Sequence, residues 1–169
     1  MRVSRIAVTA GLLVAAAGAV GAIRAATRLD RLHVRTDAAW AALDAALCRR
    51  ARAVRGLTSS AALCAAADAA LLAGAAVREE VENELGRVLA VLDRRGLAPA
   101  CAGRLADAEQ RVVIARRVYN DAVRDTLALR SHRTVRWLRL AGTAEAPRYF
   151  EIVEPTLPNY GLELDGAGA

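Results

Sequence analysis

Hydrophobic positions along the chain fall into four blocks. The first, Ile6–Ile23, is a run of 18 residues without a charge. As a helix it would be about 27 Å long, just under the ~30 Å of a bilayer's hydrocarbon core. Arg2 and Arg5 precede it and Arg24 and Arg28 follow it, where long side chains can reach lipid headgroups. In the second block Leu29, His33, Thr36, Trp40, Leu43, Leu47, Arg50 and Val54 recur at steps of three and four. They lie on one helical face and predict a helix over 24–55, continuous with the apolar run. The third block is Val77, Val81, Leu85, Val88 and Leu92, a helical stripe stopped by Gly96 and Pro99. The fourth is the longest seam: Leu105, Ala108, Val112, Ala115, Tyr119, Ala122, Thr126 and Leu129. Such a seam is buried in a bundle or coiled coil. Its small residues at 108, 115 and 122 let a neighbouring backbone approach. Arg116, Arg117, Asp121 and Arg124 flank it as solvated side chains.

Between the second and third blocks, Leu57–Val77 is rich in Ala and holds one charge, Asp68. A carboxylate at the bilayer centre costs ~2.5–3.5 kcal/mol on insertion scales, so this stretch reads as a helix inside a bundle and only one membrane span is expected. If 57–95 forms one helix of about 58 Å, the bundle has three helices; if it breaks near Gly74, it has four. From Gly142 onward prolines and glycines predict irregular structure. The expectation is therefore an all-α chain in three parts. Residues 1–23 form a transmembrane helix, 24–141 an antiparallel up-and-down bundle of three to four long helices, and 142–169 an irregular tail.

Composition sharpens this picture. Alanine supplies 41 of 169 residues while the aromatics comprise two Trp, three Tyr and one Phe, which favours close-packed helices over a β-sandwich. All 24 basic residues are Arg, so chemistry that needs a Schiff-base or phosphate-loop lysine is excluded. The net charge of +6 is concentrated in two basic stretches, Arg24–Arg55 and Arg104–Arg139, followed by an acidic tail. Both stretches are periodic with apolar residues, as solvated helix faces are. Nucleic acid is not an expected partner, because neither a recognition module nor stacking aromatics accompany the charge.

Catalytic and metal signals are weak. Cys48, Cys64 and Cys101 form no C-x-x-C pair and lie far in sequence from His33 and His132. Glu79, Glu80, Glu82 and Glu84 cluster without the Glu-x-x-His partners of a di-metal bundle, and Glu79-Glu80 read as a solvated first turn. No Gly-x-Ser-x-Gly, G-x-G-x-x-G or phosphate-loop run occurs. No catalytic residue, metal or cofactor is expected, and the chain reads as non-enzymatic.

Three segments carry a resemblance to a known family. Trp40-Ala41-Ala42-Leu43-Asp44, followed by Leu47 and Arg49-Arg50, resembles the A-W-x-x-[IL]-D-x-x-L-x-R-R segment of LemA proteins. Glu82-Asn83-Glu84-Leu85 resembles their E-N-x-L motif, and Ala115–Arg124, with Arg116, Arg117, Tyr119 and Asn120, is similar to their A-R-R-x-Y-N-x-A-V run. After Arg50 the family's H-x-L-I-P-N-L stretch is replaced by Ala51–Leu57. The resemblance implies an anchored antiparallel helical bundle with no established catalytic residues.

Location follows from the first block. Four Arg (24, 28, 31 and 35) follow the span against two before it, so the bundle is expected on the cytoplasmic side of the cell membrane. The alternative is a cell-surface or secreted helical binding domain released by cleavage near Ala17-Gly18-Ala19. An uncharged run of 18 residues exceeds a usual signal core, which favours the anchor. Arg130, Arg133, Arg136, Trp137 and Arg139 form one further candidate site, mixing positive charge with an aromatic side. This composition suits contact with anionic lipid headgroups and also the closing turn of a bundle, where Trp caps the core and Arg faces water. The overall expectation is a single-pass scaffold with the membrane and an unidentified protein as partners.

Overall fold

The computed structural model describes residues 2–57, 60–142 and 144–153. The predicted tail beyond residue 153 lies outside the described residues. Those described are helical or irregular, with no strand: α1 Arg2–Arg55, α2 Ala61–Leu72, α3 Arg78–Ala90, a 3-10 turn at Arg94–Gly96, α4 Pro99–Ser131 and a short α5, Arg133–Trp137.

The amino-terminal apolar run and the first stripe are one helix of 54 residues, about 81 Å long. Its Ala, Leu and Arg content has high helix propensity and no proline interrupts it. It ends where the Gly56 amide donates to the carbonyls of Arg52 and Ala53. Among the described residues α1 is the one helix long and apolar enough to cross a membrane, judged by length and composition. Pro99 occupies the first turn of α4, where its missing N–H has no intrahelical partner to lose.

The stretch 57–95 is not one helix. Ala73 is extended and Gly74–Val77 form a turn, so α2 and α3 are separate. The Arg78 guanidinium at the start of α3 donates back to the Ala70 carbonyl and satisfies one of the acceptors left open at the end of α2.

Contacts between α1 and α4 run in opposite sequence directions. Leu29 meets Leu129, Arg35 pairs with Asp125 at 3.0 Å, the Thr36 and Thr126 hydroxyls are 3.0 Å apart, and the Trp40 and Tyr119 rings are 5.4 Å apart. Each threonine also bonds the carbonyl four residues before it, which lets a hydroxyl sit in an apolar seam. Three apolar clusters follow one another along α1. Val135 of α5 joins Leu29 and Leu129; Leu43, Leu47, Val112, Ala122 and Val123 form the middle; Val54, Leu63, Ala67, Leu85, Leu89 and Leu105 close the far end.

The α4 seam is buried as its spacing predicts, with one exception. Ala115 is half-buried, because opposite it Ala42 and Ala46 leave an open groove of about 370 Å³ flanked by Arg49, Arg111, Ile114 and Val118. Arg116 is also half-buried and not a fully solvated flank residue. On α3 the inward face differs from the predicted stripe. Arg78, Glu82, Leu85 and Leu89 are buried, Val81 and Val88 are half-buried, and Val77 is exposed. Hydropathy misplaces this face because two of its inward positions are charged.

Candidate functional site

The motif residues gather where α1, α3 and α4 meet the chain after α5. Asp44 and Arg50 lie less than two turns apart on α1, Arg78 and Glu82 about one turn apart on α3. This register forms a chain of alternating charges. Arg78 bonds Asp44, lies 3.9 Å from Glu82 Oε1, and Glu82 Oε2 accepts from Arg50. Arg50 and Glu82 are each 1% exposed. Glu82, grouped by sequence with its exposed neighbours Glu80 and Glu84, is therefore a core residue. Arg50 Nε, Arg78 Nε and Glu82 Oε1 are buried without a hydrogen bond, so the network is held by charge more than by full hydrogen bonding.

Beside this network Glu79, Asn83, Tyr119 and Asn120 hold residues 148–153. Asn120 brackets Phe150: its Nδ2 donates to the Phe150 carbonyl at 3.1 Å and its Oδ1 accepts from the Phe150 amide at 2.9 Å. The Tyr119 hydroxyl donates to the Arg148 carbonyl at 2.9 Å. Glu79 and Asn83 accept from the amides of Glu151 and Val153 at 2.9 and 2.8 Å. Phe150 packs edge-on against Trp40, which in turn meets Tyr119 edge-on. A cavity of about 280 Å³ opens beside them, lined by Trp40, Glu79, Tyr119 and Arg148. Glu79 is thus half-buried and engaged, not part of a solvated face. The described residues of the tail, 142 and 144–153, are not helical, yet Phe150 and Ile152 belong to the middle cluster.

Burial, then the charges of Glu79 and Asp37, raise the Tyr119 phenol above its ordinary value. Because the folded state favours the protonated phenol, its contribution to stability is complete below the unfolded value of about 10 and fades as pH rises through the raised folded value. In an alkaline absorbance titration at 295 nm, one of the three tyrosines is expected to ionise late, and Tyr119→Phe should remove that late phase. Amplitude lost instead from the ordinary phase would show that this phenol is a solvated one.

Of the other motif residues, Arg49 and Arg117 are exposed and Arg116 lies half-buried on α4, so none of the three joins this cluster. The Arg130–Arg139 segment sits at the opposite end of the α1–α4 pair. There Arg130 donates to the Ala144 carbonyl at 2.8 Å and lies 3.4 Å from His33 Nε2. Arg133, Arg136 and Arg139 are exposed, and Trp137 is 84% exposed. A further pair escaped the sequence reading: both terminal guanidinium nitrogens of the half-buried Arg94 bond the buried Glu109 carboxylate, at 2.8 and 2.7 Å. Its only signal was an acid next to a seam position. Among the described residues no group of three or more His, Cys, Asp or Glu could hold a metal ion, and Cys48, Cys64 and Cys101 form no disulfide.

Chemically, the cluster offers hydrogen bonds to extended peptide backbone and an aromatic seat for one side chain. Neither a protein-family model, nor a curated protein, nor a solved structure matches the chain.

Proposed function

We propose that this chain is a LemA-like, single-pass membrane protein. In this reading α1 crosses the cell membrane and continues as the first helix of an antiparallel up-and-down bundle, which acts as a cytoplasmic scaffold for a protein partner. One observation carries the reading. The same unbroken helix exposes Leu12, Leu13, Val20 and Ile23 by 48–72% and then, from Leu29 at 3% exposure, turns a stripe into a packed core. An apolar surface of this kind marks a site that another phase or partner covers. The reversed contact order of α1 and α4 supports the antiparallel bundle. The meeting of Trp40, Asp44, Arg50, Glu82, Asn83, Tyr119 and Asn120 supports the LemA resemblance.

Alkaline carbonate extraction followed by mass measurement of the amino terminus tests the anchor. The chain should stay with the membrane with its first 23 residues intact. Recovery in the soluble fraction, cut close to Ala19, would replace this reading with the secreted binding domain. For orientation, protease added to intact cells should leave the bundle uncut, and rapid digestion would reverse the assignment.

The α5 segment supports a lipid-facing role, since Val135 packs on Leu29 and so places Arg133, Arg136, Arg139 and Trp137 just past the apolar run. Tryptophan favours the membrane interface, and each basic residue near an anionic surface contributes ~1 kcal/mol. A chain lacking residues 1–23 should sediment with anionic vesicles, and changing these three Arg to Gln should weaken binding by roughly 100-fold, about 3 kcal/mol. Salt should weaken it too, as exposed charges are screened within ~10 Å at 0.1 M. Equal binding by both proteins would make α5 a closing turn of the bundle and nothing more.

A further inference from the structure

We infer that the cleft formed by Trp40, Glu79, Asn83, Tyr119 and Asn120 is a docking site for extended peptide, and that its occupant in trans is the 148–153 segment of a second copy of this chain. This goes beyond the anchored-scaffold reading and does not depend on it.

The cleft recognises backbone. Asn120 uses both ends of its amide on both backbone groups of Phe150, the pairing that a neighbouring β-strand would provide. Tyr119, Glu79 and Asn83 bond three more backbone groups, those of Arg148, Glu151 and Val153. Phe150 and Ile152 are buried while Tyr149, Glu151 and Val153 are exposed, the two-residue alternation of an extended strand. Main-chain bonds supply affinity and alternate side-chain seats supply selectivity, as in strand-addition recognition. The cleft therefore asks for an extended aromatic-x-aliphatic segment, and Phe150-Glu151-Ile152 is such a segment.

Nothing in these contacts requires that segment to come from the same molecule. No disulfide holds it, and the described residues that lead to it, 138–142 and 144–147, are not helical. Between α5 and residues 148–153, the strap, Arg139 and Gly142 sit at φ of 50° and 55°. That left-handed backbone reverses the chain readily at glycine, and here a single turn bond, from the Gly142 amide to the Arg139 carbonyl at 3.0 Å, closes the reversal. Exchange of an identical element across such a joint is a low-barrier route to a dimer. In a single chain the short connection gives the cis strap a high effective concentration, so trans docking emerges when the cis strap is disabled or copies are crowded.

Two full-length variants in detergent separate these ideas. Asn83→Ala/Asn120→Ala disables the cleft and keeps the strap; Phe150→Ala disables the strap and keeps the cleft. An affinity-tagged cleft variant mixed with an untagged strap variant should retain at least about tenfold more untagged chain than tagged and untagged copies of either variant alone. Retention no greater than in those same-variant mixtures would overturn the second copy as occupant. A labelled peptide of residues 146–153 gives the second arm, which does not require the cleft variant to fold. It should bind the Phe150→Ala chain at least about tenfold more tightly than the wild type, whose cleft is filled. Equal binding to both chains, or none to Phe150→Ala, would overturn the cleft as a peptide site. Peptide capture without chain-to-chain capture would rule out the second copy while leaving the cleft.

Discussion

Replacing Arg50 by Met is expected to destabilise the folded chain by about 3–5 kcal/mol, because it strands the Glu82 carboxylate in a core from which water is excluded. Arg78 offsets this only in part. It lies 3.9 Å from the other Glu82 oxygen without a hydrogen bond and is already engaged by Asp44 and the Ala70 carbonyl. The double change Arg50→Met/Glu82→Leu should recover most of the loss, since apolar replacement of a buried pair is often neutral or stabilising. Glu84→Gln, on an exposed neighbour paired with Arg87, should shift stability by less than ~1 kcal/mol. Denaturant unfolding followed by the near-ultraviolet signal of Trp40 measures all three. A cost below about 1 kcal/mol for Arg50→Met would mean that the pair is solvated and its burial wrongly assigned.

Ala122→Glu should be at least as damaging. Ala122 is fully buried, and its carbonyl accepts from the Thr126 hydroxyl at 2.9 Å. A glutamate there combines overpacking, about 1–3 kcal/mol, with an unpaired buried charge costing several more. Against a usual total stability of about 5–15 kcal/mol this is enough to unfold many domains. Ala115→Glu, two turns away on the same predicted stripe, should be far milder, because its side chain would enter an open groove between Arg49 and Arg111. Arg124→Glu, exposed and paired only with Asp121 at 3.1 Å among described contacts, should change stability by less than ~1 kcal/mol. Thermal melts that placed Ala115→Glu and Ala122→Glu together would remove the distinction between core and groove.

That distinction shows where spacing stops being informative. Steps of three and four place 115 and 122 on the same face of α4, and they do share it. How deeply each is buried depends on what α1 presents opposite. Ala42 and Ala46 leave room beside Ala115, while the Thr36 hydroxyl reaches the Ala122 carbonyl at 3.4 Å. On α3 the error went the other way. Val77 and Val81 looked like the inward face by hydropathy, and the structure turns Arg78 and Glu82 inward instead. A buried charge is stabilised by a partner distant in sequence, and no local window contains that partner.

The break between α2 and α3 has the same character. Gly74 marked it as one of two outcomes, and the Arg78 bond to the Ala70 carbonyl closes α2 there. The motif residues Trp40, Asn83 and Asn120 were visible as residue types at given positions. Their common task, seating Phe150 and the backbone around it, was not, because residues 148–153 carry no helical periodicity and are held by side chains on three other elements.

By itself the sequence determined the helical class, the apolar run continuous with a packed stripe, the seam of α4 and the absence of lysine chemistry. These rest on local period, length and composition, which each segment carries within itself. Only the tertiary structure decided that Glu82 is a core residue, that Ala115 borders a groove, and that residues 148–153 complete the fold. Each of these depends on pairing across 30 or more positions, such as Arg50 with Glu82 and Asn120 with Phe150, and is set by which helices come to lie side by side.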